Sequence, residues 1–112
     1  MAEIVEALDD AGVPLYAITN FSDEFWTPFR AGEAALFDRF RDIVVSGAER
    51  LVKPDARIFD LAMRRFGLAP GEALFVDDRL DNVEASQRAG LIGHHFRDAA
   101  TLRADLERSR LL

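Results

Sequence analysis

The stretch Ala73–Val76 constrains the fold of this chain more than any other: an unbroken apolar run that ends abruptly in the adjacent carboxylates Asp77 and Asp78. A polar turn follows, Arg79-Leu80-Asp81-Asn82. Then comes the pattern Val83-Glu84-Ala85-Ser86-Gln87-Arg88-Ala89, stopped by Gly90. The order predicts a buried parallel strand, a tight loop and a helix. In open α/β sheets, ligands sit outside the carboxyl ends of the strands. Two acids at such a place suit a hard divalent cation such as Mg²⁺, which takes oxygen ligands. For an Asp-Asp pair taken alone, a solvated acidic turn is the plainer reading.

Two further polar signals reach the same edge. Ile4, Val5 and Leu8 lie at helical spacing over residues 3–11, with Gly12 as the stop. Val13 to Thr19 then reads as an apolar strand with Pro14 near its start, where a missing N–H costs least. It ends in Thr19-Asn20, a hydroxyl and an amide that can hydrogen-bond an anionic oxygen. Taken by themselves they are also ordinary turn residues. Ser22 is an expected N-cap, with Asp23 and Glu24 complementing the dipole of the helix it opens.

The third signal is Lys53. Residues 23–40 carry Phe25, Trp26, Phe29, Phe37 and Phe40 on helical faces, expected to pack into the core, with a break at Gly32. Asp42 to Gly47 reads as a short strand, and 48–52 as a loop leading to Lys53-Pro54-Asp55. Pro54 suits the first position of a helix. That helix runs through Ile58, Phe59, Leu61, Ala62 and Phe66 to Gly67. Helices of a βαβ sheet begin where strands end, so Lys53 should project toward Thr19-Asn20 and Asp77-Asp78. The adjacent His94 and His95 lie on a peripheral strand, point to opposite sides and are read as structural. A last helix, about 99–109, buries Leu102 and Leu106. The alternation of strands and helices predicts an α/β fold, a parallel sheet with helices on both faces.

Composition narrows the function. A net charge of −6 over 112 residues argues against nucleic acid, whose backbone needs a basic face. No apolar run approaches the ~20 residues of a membrane span. The absence of cysteine excludes disulfides and thiolate metal sites, and with no basic-flanked apolar leader it fits a cytoplasmic protein.

Three segments, in order, resemble the second, third and fourth motifs of the haloacid dehalogenase superfamily. They are Ala17-Ile18-Thr19-Asn20, Val52-Lys53-Pro54-Asp55, and Leu74-Phe75-Val76-Asp77-Asp78 with Asn82-Val83. The resemblance implies a three-layer Rossmann-like core over residues 1–112, with no separate cap domain. It implies a hydrolase, foremost a Mg²⁺-dependent phosphatase of small phosphorylated metabolites acting through an aspartyl-phosphate intermediate. Thr19, Asn20 and Lys53 would bind the substrate, Lys53 would also stabilise charge in catalysis, and Asp78 and Asp77 would hold the metal. A 2-haloacid dehalogenase is the other enzymatic reading.

The first motif of that family, Asp-x-Asp at the end of the first strand, occurs nowhere in this chain. By resemblance, the first strand lies between those of the second and fourth motifs. The expectation is therefore a sheet lacking its first strand, with two inner strands that share no neighbour. The chain alone is expected to be inactive and prone to self-association through the incomplete sheet. A non-catalytic phosphate- or Mg²⁺-binding remnant, or a subunit completed by a partner chain, is the alternative class.

Overall fold

The computed structural model describes residues 2–112. Helix α1, Ala2–Asp10, turns Ile4, Val5 and Leu8 inward. Its end is closed by the Val13 N–H, which donates to the Leu8 carbonyl. That bond removes Val13 from the expected strand, so β1 is only Tyr16–Thr19. Helices α2, Asp23–Gly32, and α3, Ala34–Phe37, follow on either side of the expected break. Ser22 occupies the N-cap of α2, but its side chain makes no capping bond.

Strand β2, Asp42–Val45, is also shorter than expected. The chain turns at Ser46 because the Ser46 hydroxyl and the Gly47 N–H both donate to the Phe21 carbonyl. A single helical turn, α4 (Ser46–Glu49), stands where a loop was expected. Gly47 is required at this junction, since a Cβ there would collide with the Asp23 backbone nitrogen.

Helix α5 is Ala56–Phe66. It starts after Pro54 rather than at it, because the Asp55 carboxylate is the cap and accepts from the Arg57 N–H at 2.9 Å. Gly67, at φ +70°, ends it in the left-handed conformation that favours glycine. Strand β3 (Leu74–Asp77), helix α6 (Leu80–Arg88), strand β4 (Ile92–His95) and helix α7 (Ala99–Arg108) complete the chain.

All strand pairing is parallel, in two halves. β1 pairs with β2 from Tyr16 beside Asp42 to Thr19 beside Val45. β3 pairs with β4 from Leu74 beside Ile92 to Asp77 beside His95. The two halves do not pair with each other. Their inner strands, β1 and β3, line a shared cavity of about 580 Å³.

The helices cover both faces. On one, Val44, Ile58, Phe59, Ala62, Met63 and Ala85 form a core joined by Ile18 and Phe75. On the other, Ile4, Leu8, Leu102 and Leu106 pack with Leu74 and Val76. The alternation of Leu74, Phe75 and Val76 between the two cores is the period-2 pattern of a strand buried on both sides. Among the described residues no helix is long and apolar enough to cross a membrane.

Candidate active site

The site forms where β1 and β3 end. Asn20, one residue beyond β1, reaches the loop before α5. Its Oδ1 accepts from the Lys53 N–H at 2.9 Å, and its Nδ2 donates to the Lys53 carbonyl at 3.3 Å. This two-point clamp ties the loop to the end of β1. It leaves the Lys53 side chain to extend across the gap to β3.

Lys53 Nζ donates to Asp77 Oδ2 at 2.8 Å and lies 5.7 Å from the centre of the Phe75 ring. Phe75 and Asp77 are two residues apart, so they share a face of β3 and together form the track for the lysine. Both partners of the ion pair are nearly buried, at 12% and 8% side-chain exposure. The structure therefore unites the two ends expected from sequence: the Thr19-Asn20 end and the Asp77 end, joined through Lys53.

The Asp77 carboxylate is fully engaged. Oδ1 accepts from the Arg79 N–H at 2.9 Å, and Oδ2 accepts from Asn82 Nδ2 at 3.2 Å as well as from Lys53. Burial works against its ionisation, but the bonds from Lys53 and Arg79 outweigh it and hold its pKa below the usual carboxylate value. Asp77 is an anion at neutral pH, and Lys53 is its counter-ion.

Asp78 differs. Its side chain is exposed and lies against the Asp77 carboxylate, while its carbonyl accepts from His95 Nε2 at 2.9 Å. Thr19, half-buried, closes β1. Asn82 is buried, and its Oδ1 has no partner. Asp78 and Asn82 thus offer hard oxygen donors of the kind Mg²⁺ takes. Among the described residues, no three His, Cys, Asp or Glu side chains gather into a metal cluster.

Two contributors were not singled out from sequence. Asn82 stood inside the quoted motif, yet only the fold reveals that it is buried against Asp77. His95 was read as structural, and its ring does support the loop through the Asp78 carbonyl. The pairing of Asp77 with His95 across β3–β4 puts it there, a register no single-chain pattern encodes. His94 faces away and bonds Asp105 on α7, Nδ1 to Oδ2 at 2.7 Å.

The model of the haloacid dehalogenase-like hydrolases matches residues 1–90. The chain belongs to this family. It is 30% identical over 99 residues to the sesquiterpene phosphatase astK of Aspergillus oryzae, covering 88% of this chain and 50% of that protein. It is 31% identical over 90 residues to the phosphoglycolate phosphatase of Thiobacillus denitrificans, covering 80% of this chain and 39% of that one. A HAD-family enzyme of Bacteroides thetaiotaomicron, crystallised with magnesium and inorganic phosphate, superposes with a TM-score of 0.73. It is 21% identical, over 91% of this chain and 57% of its own. The chain thus spans half or less of the length of these two curated relatives.

Proposed function

We propose that these residues form the phosphate- and metal-binding part of a phosphatase that hydrolyses a small phosphate ester through an aspartyl-phosphate intermediate. The observation that carries this reading is the Lys53 bridge: Asn20 at the end of β1 holds the Lys53 backbone, and Asp77 at the end of β3 pairs with its nearly buried ammonium. A preorganised cation at a desolvated strand end stabilises charge developing on a transferred phosphoryl group. Phosphatase relatives support the same direction.

Each residue then has a role. Lys53 neutralises the phosphoryl oxygens and the attacking carboxylate. The hydroxyl of Thr19 donates to a phosphate oxygen. Asn20, first expected to bind substrate, has its carboxamide committed to the Lys53 backbone, so it acts chiefly by positioning that lysine. Asp78 would hold Mg²⁺ directly, where the ion would offset phosphate charge. Asp77 stands behind it, its oxygens already shared by Lys53, Arg79 and Asn82.

The nucleophile is not among these side chains. Asp77 is saturated with donors, and the chain has no Asp-x-Asp. An additional strand between β1 and β3, ending beside Thr19 and Asp77, would supply it. The cavity of about 580 Å³ between those strands supports that placement. A purely phosphate- or Mg²⁺-binding protein is the second reading, favoured by the absence of Asp-x-Asp from this chain.

The test is release of inorganic phosphate from p-nitrophenyl phosphate and sugar phosphates. The 112-residue chain alone should be inactive, and a chain extended by a strand ending in Asp-x-Asp should turn over. In the extended protein, Lys53→Ala should lower kcat by ~10²–10³-fold, as the loss of one preorganised electrostatic donor does. Lys53-dependent turnover by the 112-residue chain alone would sink the proposal. Inactivity of the extended protein that still binds phosphate and Mg²⁺ would favour the second reading. In calorimetry, the chain alone should bind Mg²⁺ weakly and lose that binding in Asp78→Asn, because Mg²⁺ demands near-ideal octahedral geometry.

A further inference from the structure

Next to the Lys53 bridge lies a second, open cavity of about 390 Å³, lined by Asn20, Phe21, Ser22, Ser46, Gly47, Arg50 and Val52. It shares Asn20 with the site above, and Val52 precedes Lys53 in the chain. Its floor is fixed, because Ser46 and Gly47 are both bonded to the Phe21 carbonyl. Arg50 is the one charged side chain on its wall. Among the described residues it has no salt-bridge partner, although the chain carries 20 acidic side chains.

Arg50 is also held in an unusual conformation. It caps α4 at φ 57°, ψ 32°, the left-handed region where a side chain is disfavoured and glycine is the usual occupant. An arginine kept there, unpaired and facing a cavity, is an outlier of the kind that clusters at ligand sites.

We propose that Arg50 is a specificity-determining residue that binds a second anionic group of the substrate, a carboxylate on the arm beyond the phosphate. Three residues of chain span at most ~11 Å, so the Arg50 and Lys53 backbones are close enough for their long side chains to hold two ends of one small molecule. A guanidinium pairs with a carboxylate through two parallel N–H donors, which fixes the direction of the arm as well as its charge. The substrate class is then a small phosphate monoester that also carries a carboxylate. This rests on the reading of Lys53 as the phosphate site, and goes beyond it by assigning the rest of the molecule.

Non-hydrolysable phosphonates test it by NMR titration on the 112-residue chain. Phosphonoacetate should bind about tenfold more tightly than ethylphosphonate, since hydrogen bonds to charged groups are the stronger class. Arg50→Gly should erase that difference while leaving ethylphosphonate binding unchanged. This variant suits the left-handed backbone, so loss of the fold is not the expected outcome. Arg50→Lys should recover part of the difference, without the two-point geometry. Lys53→Ala should weaken both ligands together. Equal affinity for the two phosphonates in the native chain, or a preference that survives Arg50→Gly, overturns the role of Arg50. Tighter binding of ethylphosphonate would mean that Phe21 and Val52 select an apolar arm instead, which also overturns it. Insensitivity of both ligands to Lys53→Ala would remove the phosphate reading and the Arg50 proposal with it. Retained Lys53 dependence without an Arg50 effect removes only the latter.

Discussion

Helix α5 and the α2–α3 pair carry the same kind of pattern and bury it differently. Both are amphipathic, and both place aromatic residues on one face. In α5, Ile58 and Phe59 are fully buried, and Phe59 meets Phe75 of β3 edge-on at 5.3 Å. In α2 and α3 no residue is buried. Their aromatics pack on one another and on Phe21 just before α2 instead: Phe29 on Phe21 at 4.7 Å, Trp26 on Phe37 at 5.1 Å. Phe25 and Phe29 remain 60% and 44% exposed. Periodicity tells which side chains share a face; it does not tell what lies opposite that face.

The contrast breaks most sharply at Phe59. Phe59→Ala should cost about 3–5 kcal/mol, the range for deleting a buried aromatic. That is a large part of the ~5–15 kcal/mol a domain holds. Urea unfolding measures it, read from the midpoint at constant slope. If Phe59→Ala and Phe25→Ala cost the same, the two helical layers do not differ in the way their burial indicates.

Ion pairs show the same division. Lys53–Asp77 is nearly buried, whereas Arg57 in the Arg57–Asp55 pair is 74% exposed. Removing one partner of a buried pair leaves an uncompensated charge, so Lys53→Met should cost about 3 kcal/mol. Arg57→Ala should change stability little, because exposed pairs contribute little. The buried pair also carries a pH signature. The Asp77 pKa is depressed in the folded chain below its ordinary 3.8, first opposed by burial and then driven by Lys53 and Arg79. Its contribution is present above that ordinary value and is lost as pH falls through the lower folded value. Asp55, held at about 2 by Arg57, titrates in the same acid range. The measurement is therefore a difference: the native chain should lose more stability than Asp77→Asn as pH falls below about 4. Parallel curves would show that Asp77 is not held by Lys53 in solution.

Much of the site was legible because its residues sit at strand ends, where local sequence is informative. Thr19-Asn20 and Asp77-Asp78 each follow an apolar run, and Lys53 precedes a helix with a clear stripe. What sequence could not give was pairing between distant segments. The Asn20 clamp on the Lys53 backbone joins positions 33 residues apart. His95 meets the Asp78 carbonyl only through the register of β3 with β4. The helical turn at Ser46 depends on the Phe21 carbonyl, 25 residues earlier. Elements followed from periodicity, while their trimmed ends at Val13, Pro54 and Ser46 followed from hydrogen bonds across the fold.

The smallest expected effect concerns the aromatic cluster on α2 and α3. Phe29 stacks on Phe21 and tilts against Trp26 and Phe37, so Phe29→Ala removes several aromatic contacts. Such pairs contribute ~0.5–1.5 kcal/mol beyond area burial, which sets the expected loss near 1 kcal/mol. Phe25 forms none of the aromatic pairs in the cluster and is the more exposed of the two, so Phe25→Ala should stay within ~0.5 kcal/mol. Urea midpoints of the two variants, compared with Phe59→Ala, should rank as the burial does. If Phe29→Ala costs as much as Phe59→Ala, the α2–α3 layer is covered in solution by another surface. Self-association through this face would then show as a concentration-dependent midpoint that flattens in the variant.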